Sequence, residues 1–220
     1  MTMIENYKGT ETYSTINNDY GEPIKVPFTE VMQSTFDAEI DHNPQSVGCF
    51  EMVSIGQFWT DAEALGFDTG ENRIITYNSI FCPTRSTSKS AGYDFRSPFD
   101  FTLAPGQTII IPTGIRVKMY SNNVLTVYPR SSIGIKHNIM LSNTTPVIDA
   151  DYYNAENEGH IMLAFKNTVP KSIFPWKNRK NTWKVKAGDK VAQGIFLQYG
   201  ITHNDNVNTV RTGGIGSTGA

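Results

Sequence analysis

The sequence is short of cysteine, of long apolar runs and of net charge, and each shortage excludes a class of protein. Two cysteines among 220 residues, Cys49 and Cys82, cannot form a disulfide framework, and their spacing is not that of a metal site. Eighteen consecutive apolar residues occur nowhere, and the first residues contain no signal-peptide core. The sequence therefore predicts a soluble cytoplasmic protein with no membrane association.

The charged residues exclude a second group of functions. The formal charge is −2, from 19 Lys and Arg residues against 21 Asp and Glu residues, and the two signs are interspersed. No overall field favours nucleic acid or an anionic membrane, so any phosphate chemistry must be local. The histidines have no ligand spacing, and we expect structural or surface roles for His42, His137, His160 and His203.

The first 72 residues divide at about residue 48. Residues 1–48 are polar, rich in Asn, Thr and Glu, and predict no defined role. Residues 49–72 contain one short amphipathic helix that Ser54 can cap, Gln57 can complete as a capping box, and Gly66 can end. Because so short a helix is stable only when its apolar face is buried, we expect it to pack on the main domain.

Short β-rich runs separated by turn residues fill the chain from Arg73 onward. About eight of them occur without intervening helices, which favours an all-β sandwich or barrel. In chain order they are RIITYNSIF, QTIIIP, IRVKM, VLTVY, IML, HIMLAF, WKVKA and KVAQGIFLQY. Residues 206–220 include the glycine-rich stretch RTGGIGSTGA, which has no apolar periodicity.

Two acids in an apolar stretch need an explanation. The stretch TPVIDADYY carries Asp149 and Asp151, which strand alternation places on one face, with Ile148 and Ala150 on the other. An isolated buried charge is too costly to leave alone, so these acids must be paired, bind a ligand or act on one.

Four further stretches carry groups suited to phosphate, but each also has a structural interpretation. The Arg and hydroxyls of YPRSSIG suit phosphate oxygens, yet an Arg capping a turn fits equally well. AGYDF is also typical of a turn before an edge strand, and Gln193 in AGDKVAQGIF could face a ligand or an interior cavity. RTGGIGSTG is similar to a phosphate-binding loop but lacks the strand-to-helix context of one.

The set of stretches and its order are more specific than any single one. SAGYDF, PRSSIG, NTTPVIDADYY, GDKVAQGIF and RTGGIGSTG occur in the order and spacing of five signature motifs. On these motifs the chain resembles the trimeric dUTPase family from Arg73 to Ala220. The stretches FEMVSIGQF and YYNAENEGHI further resemble the branch found in Gram-positive bacteria and their phages.

The resemblance implies a fold, an assembly and a reaction. The family folds as an all-β, jelly-roll-like β-barrel, here residues 73–205, and forms a homotrimer with active sites at subunit interfaces. A C-terminal arm, residues 206–220, would cross to close a neighbouring chain's site. The implied reaction is hydrolysis of dUTP to dUMP and pyrophosphate, which keeps uracil out of DNA and supplies dUMP for thymidylate synthesis.

The matched motifs also imply roles for the nucleoside-binding residues. Asp149 would be the general base that deprotonates the water attacking the α-phosphorus, and Asp151 would be a hairpin ion-pair or cap residue. The Tyr152 ring would pack beneath the deoxyribose and exclude a 2′-hydroxyl. Asn143 and Ile148 belong to the hairpin that would bind uracil and reject thymine and cytosine.

The phosphate contacts are implied in the same way. Arg130, Ser131 and Ser132 would hold the triphosphate, and Gln193 would contact the region of the α-phosphate. From the arm, Arg211 would bind the γ-phosphate. The remaining arm contacts would come from Ile215, Gly216, Ser217 and Thr218.

The cofactor implied by the resemblance is Mg²⁺. It would be held chiefly by phosphate oxygens and waters, and it would neutralise the triphosphate. Asp94 would orient those waters, although a structural role at the start of its strand fits the sequence equally well.

Three features depart from the family pattern. Ile215 stands where members usually carry an aromatic that stacks over uracil, so we expect weaker closure over the substrate. Pro146 occupies the usual hairpin glycine, which removes an N–H group and fixes φ. The loop at residues 169–184 is longer than its counterpart and basic, which indicates a solvated loop or a partner surface.

Two other classes of function remain open from the sequence. A dCTP deaminase would share the fold, but it needs a glutamate where this chain has Ala164 and an arginine shortly after RSS, where residues 133–137 read IGIKH. A phage-type regulatory protein would bind a repressor or host partner through the N-terminal extension or the basic loop. Nucleotide turnover separates the enzymes, and capture of a competing partner identifies the regulator.

Overall fold

The computed structural model describes residues 13–17, 23–27, 46–68, 70–209, 211 and 213. The chain divides into two compact units, residues 1–48 and residues 49–220. In the first unit, β1 (Tyr13–Asn17) pairs antiparallel with β2 (Pro23–Pro27). The predicted site residues that the structure describes all lie in the second unit.

The second unit begins with a strand and the predicted helix. Strand β3 (Gly48–Met52) leads into α1 (Ile55–Ala64), whose N-cap Ser54 accepts a hydrogen bond from the Gln57 N–H at 3.1 Å. The Gln57 side chain does not complete the capping box, because it donates to Asp61 instead. Gly66 follows the helix with a φ of +83°, as expected for a glycine that ends one.

The run beginning at Arg73 is a helix, and its prediction as a strand was wrong. A 3₁₀ turn (Gly70–Asn72) leads into α2 (Arg73–Asn78), which leaves Ile74 and Ile75 exposed. The Tyr77 hydroxyl donates to the Val53 carbonyl at 2.6 Å, which ties this helix to the start of α1. A short apolar run does not distinguish strand from helix, and tertiary contacts decide it here.

The remaining elements are mostly strands, and seven of the eight predicted runs are confirmed as strands. The strands are β4 (Thr84–Arg85), β5 (Tyr93–Arg96), β6 (Phe101–Leu103), β7 (Thr108–Pro112), β8 (Ile115–Met119), β9 (Asn123–Pro129), β10 (Ile139–Leu141), β11 (Val147–Asp149), β12 (Met162–Asn167), β13 (Trp183–Val185) and β14 (Lys190–Gln198). Between them lie α3 (Ser131–His137), a 3₁₀ turn (Ala150–Asn154) and α4 (Pro175–Lys180), none of which was predicted.

One five-stranded sheet positions the candidate site. Its order is β11-β9-β14-β5-β4, and neighbouring strands are antiparallel. A three-stranded sheet, β10-β12-β7, and the pairs β13-β6 and β3-β8 complete the described sheets of this unit. Short antiparallel strands in several small sheets agree with the predicted all-β, jelly-roll-like class.

The core fills the space between these sheets with aliphatic side chains and a few aromatic rings. Its large, fully buried members include Leu103, Ile111, Ile115, Leu125, Ile139, Leu141, Leu163 and Phe165. Helix α1 contributes Phe58, which is fully buried and stacks on Phe99 with 5.8 Å between ring centroids. Among the described residues, no helix has the length and apolar content needed to cross a membrane.

Candidate active site

A first group of polar side chains meets where β5, β14 and β9 lie side by side. Gln193 on β14 lies opposite Asp94 on β5 and opposite Tyr128 on β9. Arg130 follows the end of β9 and is the N-cap of α3. We call Ser86, Asp94, Arg130 and Lys190 the Asp94 cluster.

Asp94 holds this cluster together. Its carboxylate is 6% exposed and accepts hydrogen bonds from Ser86 Oγ at 2.7 Å and Lys190 Nζ at 2.6 Å. The Nε of Arg130 lies 3.1 Å from its other oxygen. Burial raises the pKa of Asp94, but the bonds from Lys190 and Ser86 and the charge of Arg130 outweigh it and lower that pKa below its usual value. Asp94 therefore stays ionised and fixes both cations.

A cavity of about 170 Å³ opens beside the cluster. Its lining combines hydroxyls, an amide and the guanidinium: Ser86, Ser90, Gly92, Asp94, Arg130, Ser131, Ser132 and Gln193. Ser131 and Ser132 are the first two residues of α3, where backbone N–H groups have no acceptor within the helix. Donors therefore dominate this cavity, as an anionic ligand requires.

Gly92 keeps the Gln193 side chain in the cavity. A Cβ atom at Gly92 would lie 2.6 Å from Gln193 Oε1, which is closer than real Cβ atoms approach. The glycine in the AGYDF stretch is therefore needed for close approach of an amide, and this explains it better than a turn alone.

A second group surrounds Asp149, and we call Asp149, Asp151, Tyr152 and Arg211 the Asp149 cluster. Asp149 is the last residue of β11, and its side chain is 55% exposed. Arg211 Nη1 lies 3.0 Å from Asp149 Oδ2 and 3.5 Å from Asp151 Oδ1. The Arg211 guanidinium also lies 5.0 Å from the centre of the Tyr152 ring. Arg211, which is predicted to bind the γ-phosphate, thus forms an ion pair with Asp149, the predicted general base, of the same chain.

The strand alternation predicted for the two acids was wrong. Strand β11 ends at Asp149, and residues Ala150–Asn154 form a 3₁₀ turn, so Asp151 is not on a strand. The turn nevertheless brings both carboxylates to one guanidinium. Since Asp149 is exposed, its charge needs no buried partner.

The residues predicted to bind the nucleoside precede and follow Asp149 in the chain, between residues 143 and 152. Tyr152 is 5% exposed, and its hydroxyl donates to the His160 carbonyl at 3.0 Å. Asn143 is exposed in the hairpin between β10 and β11, and its carbonyl accepts the Thr145 N–H at 2.7 Å. Pro146 is buried there, and its carbonyl accepts the Val127 N–H at 3.0 Å. Ile148 lies on β11, next to Asp149, and packs against the core.

The two clusters lie far apart within one chain. Asp149 is opposite Val124 on β9, whereas Gln193 is opposite Tyr128 on the same strand. Four residues of strand correspond to about 13 Å, and the six residues from Val124 to Arg130 to about 20 Å. One α-phosphorus cannot touch the Asp149 and Gln193 side chains of a single chain.

Four predicted site residues lie outside the described residues: Ile215, Gly216, Ser217 and Thr218. Where the chain is described, no group of three or more His, Cys, Asp or Glu side chains could hold a metal ion. Both oxygens of Asp94 are engaged by Ser86, Lys190 and Arg130, which favours its structural role over the orientation of metal-bound waters.

Two residues of the site were not identified from the sequence. Ser86 lies in the hydroxyl-rich stretch PTRSTSKS, which could have indicated an anion site. Lys190 lies in the GDKVAQGIF stretch, but its contact with Asp94 depends on pairing between β14 and β5. The basic loop contains α4, with Trp176 exposed and 4.9 Å from the Phe174 ring centre.

Comparisons with known proteins point to one protein family. A family model described as dUTPase matches residues 78–219. The deoxyuridine 5′-triphosphate nucleotidohydrolase of Lactococcus lactis is 38% identical over 144 residues, which cover 64% of this chain and 89% of that protein. The Haemophilus influenzae protein of the same name is 31% identical over 150 residues, with the same coverage. A crystal structure of dUTPase from Streptococcus mutans superposes with a TM-score of 0.52 and 28% identity, covering 71% of this chain and 99% of that one.

Proposed function

The chain belongs to the dUTPase family, and on that basis we propose that it hydrolyses dUTP to dUMP and pyrophosphate. Two of the similar proteins come from Gram-positive bacteria, the branch that the sequence resembles. The observation that carries the proposal is the donor-lined cavity of the Asp94 cluster, together with an exposed carboxylate at the matched position of the catalytic motif.

Asp149 supplies the base. Its carboxylate accepts a proton from a water whose oxygen forms a bond to the α-phosphorus. The bond from that phosphorus to the oxygen bridging to the β-phosphate breaks in line, and its electron pair leaves with pyrophosphate. The exposure of Asp149 gives water direct access to this carboxylate.

The cavity of the Asp94 cluster binds the triphosphate. Arg130 and the hydroxyls of Ser131 and Ser132 donate to phosphate oxygens, and the Gln193 amide contacts the α-phosphate. Asp94 does not touch the substrate in this proposal. Its hydrogen bonds and ion pairs hold Arg130 and Lys190 in place before the anion arrives, which lowers the cost of binding.

Arg211 has to change partners during the reaction. While it is paired with Asp149, Arg211 occupies the carboxylate oxygen that a water would otherwise contact. A γ-phosphate is a stronger bidentate partner for the guanidinium, and its arrival frees the base. Residues 215–218 of the same arm, Ile215, Gly216, Ser217 and Thr218, then close over the nucleotide.

The chemistry of the donor set fits Mg²⁺ that is carried by the substrate. Mg²⁺ prefers phosphate oxygens and waters in octahedral geometry, and it would neutralise charge on the triphosphate when bound. The side chains of Arg130, Ser131 and Ser132 in the described cavity would hold the phosphates that carry the ion. No group of three or more His, Cys, Asp or Glu side chains that could hold a metal ion occurs among the described residues.

Selectivity comes from the residues beside Asp149. A Tyr152 ring beneath the sugar leaves no room for a 2′-hydroxyl, which excludes ribonucleotides. The hairpin that carries Asn143 and Ile148 presents backbone groups to uracil, and it rejects cytosine through unpaired donors and thymine through its methyl group. The Pro146 carbonyl already accepts the Val127 N–H, so the other backbone groups of the hairpin recognise uracil.

A homotrimer completes each site. Because Asp149 and Gln193 are about 13 Å apart along β9 of one chain, a water held by Asp149 reaches an α-phosphorus on Gln193 only when the two come from different chains. A closed ring of three identical chains brings the Asp94 cluster of one chain to the Asp149 cluster of the next, three times over.

The direct test is pyrophosphate release from purified protein with Mg²⁺ and each of dUTP, dCTP, dTTP and UTP. We expect release from dUTP alone. Comparable release from several nucleotides would refute the proposed selectivity. Binding of dUTP without turnover of any nucleotide would favour the regulatory alternative instead.

A further inference from the structure

The loop that follows Asp149, residues 150–161, is held in place by three residues that precede the stretch matched by the dUTPase family model. The match begins at residue 78. Glu51 lies on β3, Ser54 caps α1, and Asp61 lies within α1. We call these three residues the N-terminal brace.

The first contact joins the start of α1 to the turn of the loop. The Glu158 carboxylate accepts the Ser54 N–H at 2.7 Å and the Ser54 hydroxyl at 2.6 Å. Glu158 has a φ of +57°, which is unfavourable for a residue with a side chain. Next to it, a Cβ atom at Gly159 would lie 2.6 Å from the Tyr152 carbonyl oxygen. The turn therefore presses closely on Tyr152, and Ser54 stabilises that conformation.

The second contact runs through a buried histidine. His160 is 0% exposed, and its Nδ1 lies 2.6 Å from Asp61 Oδ2. The Gly114 N–H donates to His160 Nε2 at 2.8 Å, so the ring carries its proton on Nδ1 and donates it to Asp61. The His160 carbonyl accepts the Tyr152 hydroxyl at 3.0 Å. Two hydrogen bonds, one from the His160 ring and one to the His160 carbonyl, thus connect α1 to the Tyr152 side chain.

The third contact holds the residue after Tyr152. The Tyr153 hydroxyl donates to Glu51 Oε2 at 2.8 Å. The same oxygen accepts two hydrogen bonds from Arg116, at 3.0 and 2.8 Å, and the guanidinium lies 4.3 Å from the centre of the Tyr153 ring. Glu51 and Arg116 therefore fix Tyr153 through both its hydroxyl and its ring.

We propose that Glu51, Ser54 and Asp61 are positioning residues that set where the Asp149 carboxylate and the Tyr152 ring stand relative to the nucleotide. The inference rests on the proposed function for its substrate. Asp149 is exposed at a strand end, and the 3₁₀ turn after it has no ladder of strand hydrogen bonds. Small displacements of a catalytic group cost large factors in rate, so an external support of this loop controls turnover and sugar selectivity.

The test compares three variants in α1. Asp61→Ala removes the acceptor for His160, Asp61→Asn retains an acceptor oxygen of the same shape, and Ala62→Gly destabilises the same helix without removing a contact to the loop. For Asp61→Ala we expect kcat for dUTP to fall about tenfold, with KM changed less than about twofold, and the preference for dUTP over UTP to fall about tenfold. We expect Asp61→Asn to stay within about twofold of wild type, and Ala62→Gly to lower Tm without changing the preference.

Amide hydrogen exchange of residues 150–161 gives a second readout that does not depend on turnover. Faster exchange in Asp61→Ala than in Ala62→Gly supports the brace even if the wild-type protein hydrolyses no dUTP, an outcome that refutes only the proposed function. Equal changes in both variants, or unchanged exchange and sugar preference in Asp61→Ala, overturn the inference. Glu158→Ala removes the loop side of the first contact and repeats the test if Asp61→Ala does not fold.

Discussion

The Asp94 cluster and the Asp149 cluster contain the same kind of ion pair in opposite surroundings. Arg130 lies 3.1 Å from Asp94, and Arg211 lies 3.0 Å from Asp149. The Asp94 side chain is 6% exposed on a strand inside the five-stranded sheet, whereas the Asp149 side chain is 55% exposed at the end of an edge strand. The distances alone would suggest that the two ion pairs are equally strong.

The surroundings give the two pairs different roles. Breaking a buried pair leaves a desolvated charge behind, so the Asp94 pair persists and positions Arg130. An exposed pair contributes little and is easily exchanged for another partner, so Arg211 can leave Asp149 when a triphosphate arrives. The groups that bind charge are thus fixed in advance, and the group that performs chemistry is left accessible.

The largest expected effect comes from removing the accessible carboxylate. Asp149→Asn keeps the size of the side chain but cannot accept the proton from water, so we expect kcat to fall roughly 10³-fold. Pyrophosphate release measures the loss, and calorimetric titration with dUTP should show that binding is retained.

Asp151→Asn is the matched control, because Asp151 lies 3.5 Å from the same guanidinium and shares its exposure. We expect less than about a threefold change in kcat for this variant. If the two variants lose equal activity, or if Asp149→Asn turns over dUTP at full speed, Asp149 is not the base.

Mixing two inactive variants tests whether the clusters act across chains. Asp149→Asn and Arg130→Ala each destroy one half of the site, and a site built from two chains regains both halves in mixed trimers. Random co-refolding at equal amounts should restore about a quarter of the wild-type activity, a rise of roughly 10²-fold over either variant alone. Mixtures that stay as inactive as their components would show that each site comes from one chain.

Asp94→Asn should lower the free energy of unfolding by roughly 1–2 kcal/mol near neutral pH, since it removes the charged hydrogen-bond acceptor of Arg130 and Lys190, whose side chains are themselves partly exposed. The pKa of Asp94 is lowered in the folded state, so its stabilisation is present above the unfolded pKa and is lost as pH falls through the folded one. The gap between variant and wild type should therefore close below about pH 4.

Urea denaturation across this pH range measures the gap. Asp100→Asn is the matched control, because Asp100 pairs with Lys186 on the surface and should affect stability little. A gap that is equally wide at pH 3 and pH 7 would contradict the role given to the Asp94 charge.

The two clusters also differ in how far sequence predicts them. Spacing of motifs identifies Arg130, Gln193 and Asp149 because each belongs to a short local stretch. Ser86 directly follows β4 and Lys190 begins β14, the two strands that flank β5, and only the pairing of these strands brings the two side chains to Asp94. Long-range register is not contained in local patterns.

The prediction of strands and helices shows the same difference between local patterns and long-range contacts. The runs of β7, β8, β9 and β12 alternate or are continuously apolar, and their prediction as strands is confirmed. Arg73–Asn78 contains β-branched residues but is helical, and the Tyr77 hydroxyl joins it to the Val53 carbonyl, a long-range contact that local patterns do not contain. Helix α4 also carries helix signals in its sequence, with Pro175 at its first position and basic residues in its last turn. The prediction for this stretch was instead only a basic loop.

The smallest predicted effect concerns the arm that carries Arg211. Ile215 lies outside the described residues, and relatives usually place an aromatic there. Ile215→Phe would add a stacking contact with uracil worth roughly 0.5–1.5 kcal/mol, so we expect affinity for a non-hydrolysable dUTP analogue to rise by up to about tenfold. A tighter lid draws Arg211 away from Asp149, so the gain in affinity should be smaller when Asp149 is intact than in Asp149→Asn, where the competing pair is absent.

Calorimetric titration with the analogue, in the presence and in the absence of Asp149→Asn, measures both gains, with Ile215→Leu as the aliphatic control. No gain in either background would mean that the arm does not cover the base, and an equal gain in both would mean that Arg211 and Asp149 do not compete with closure.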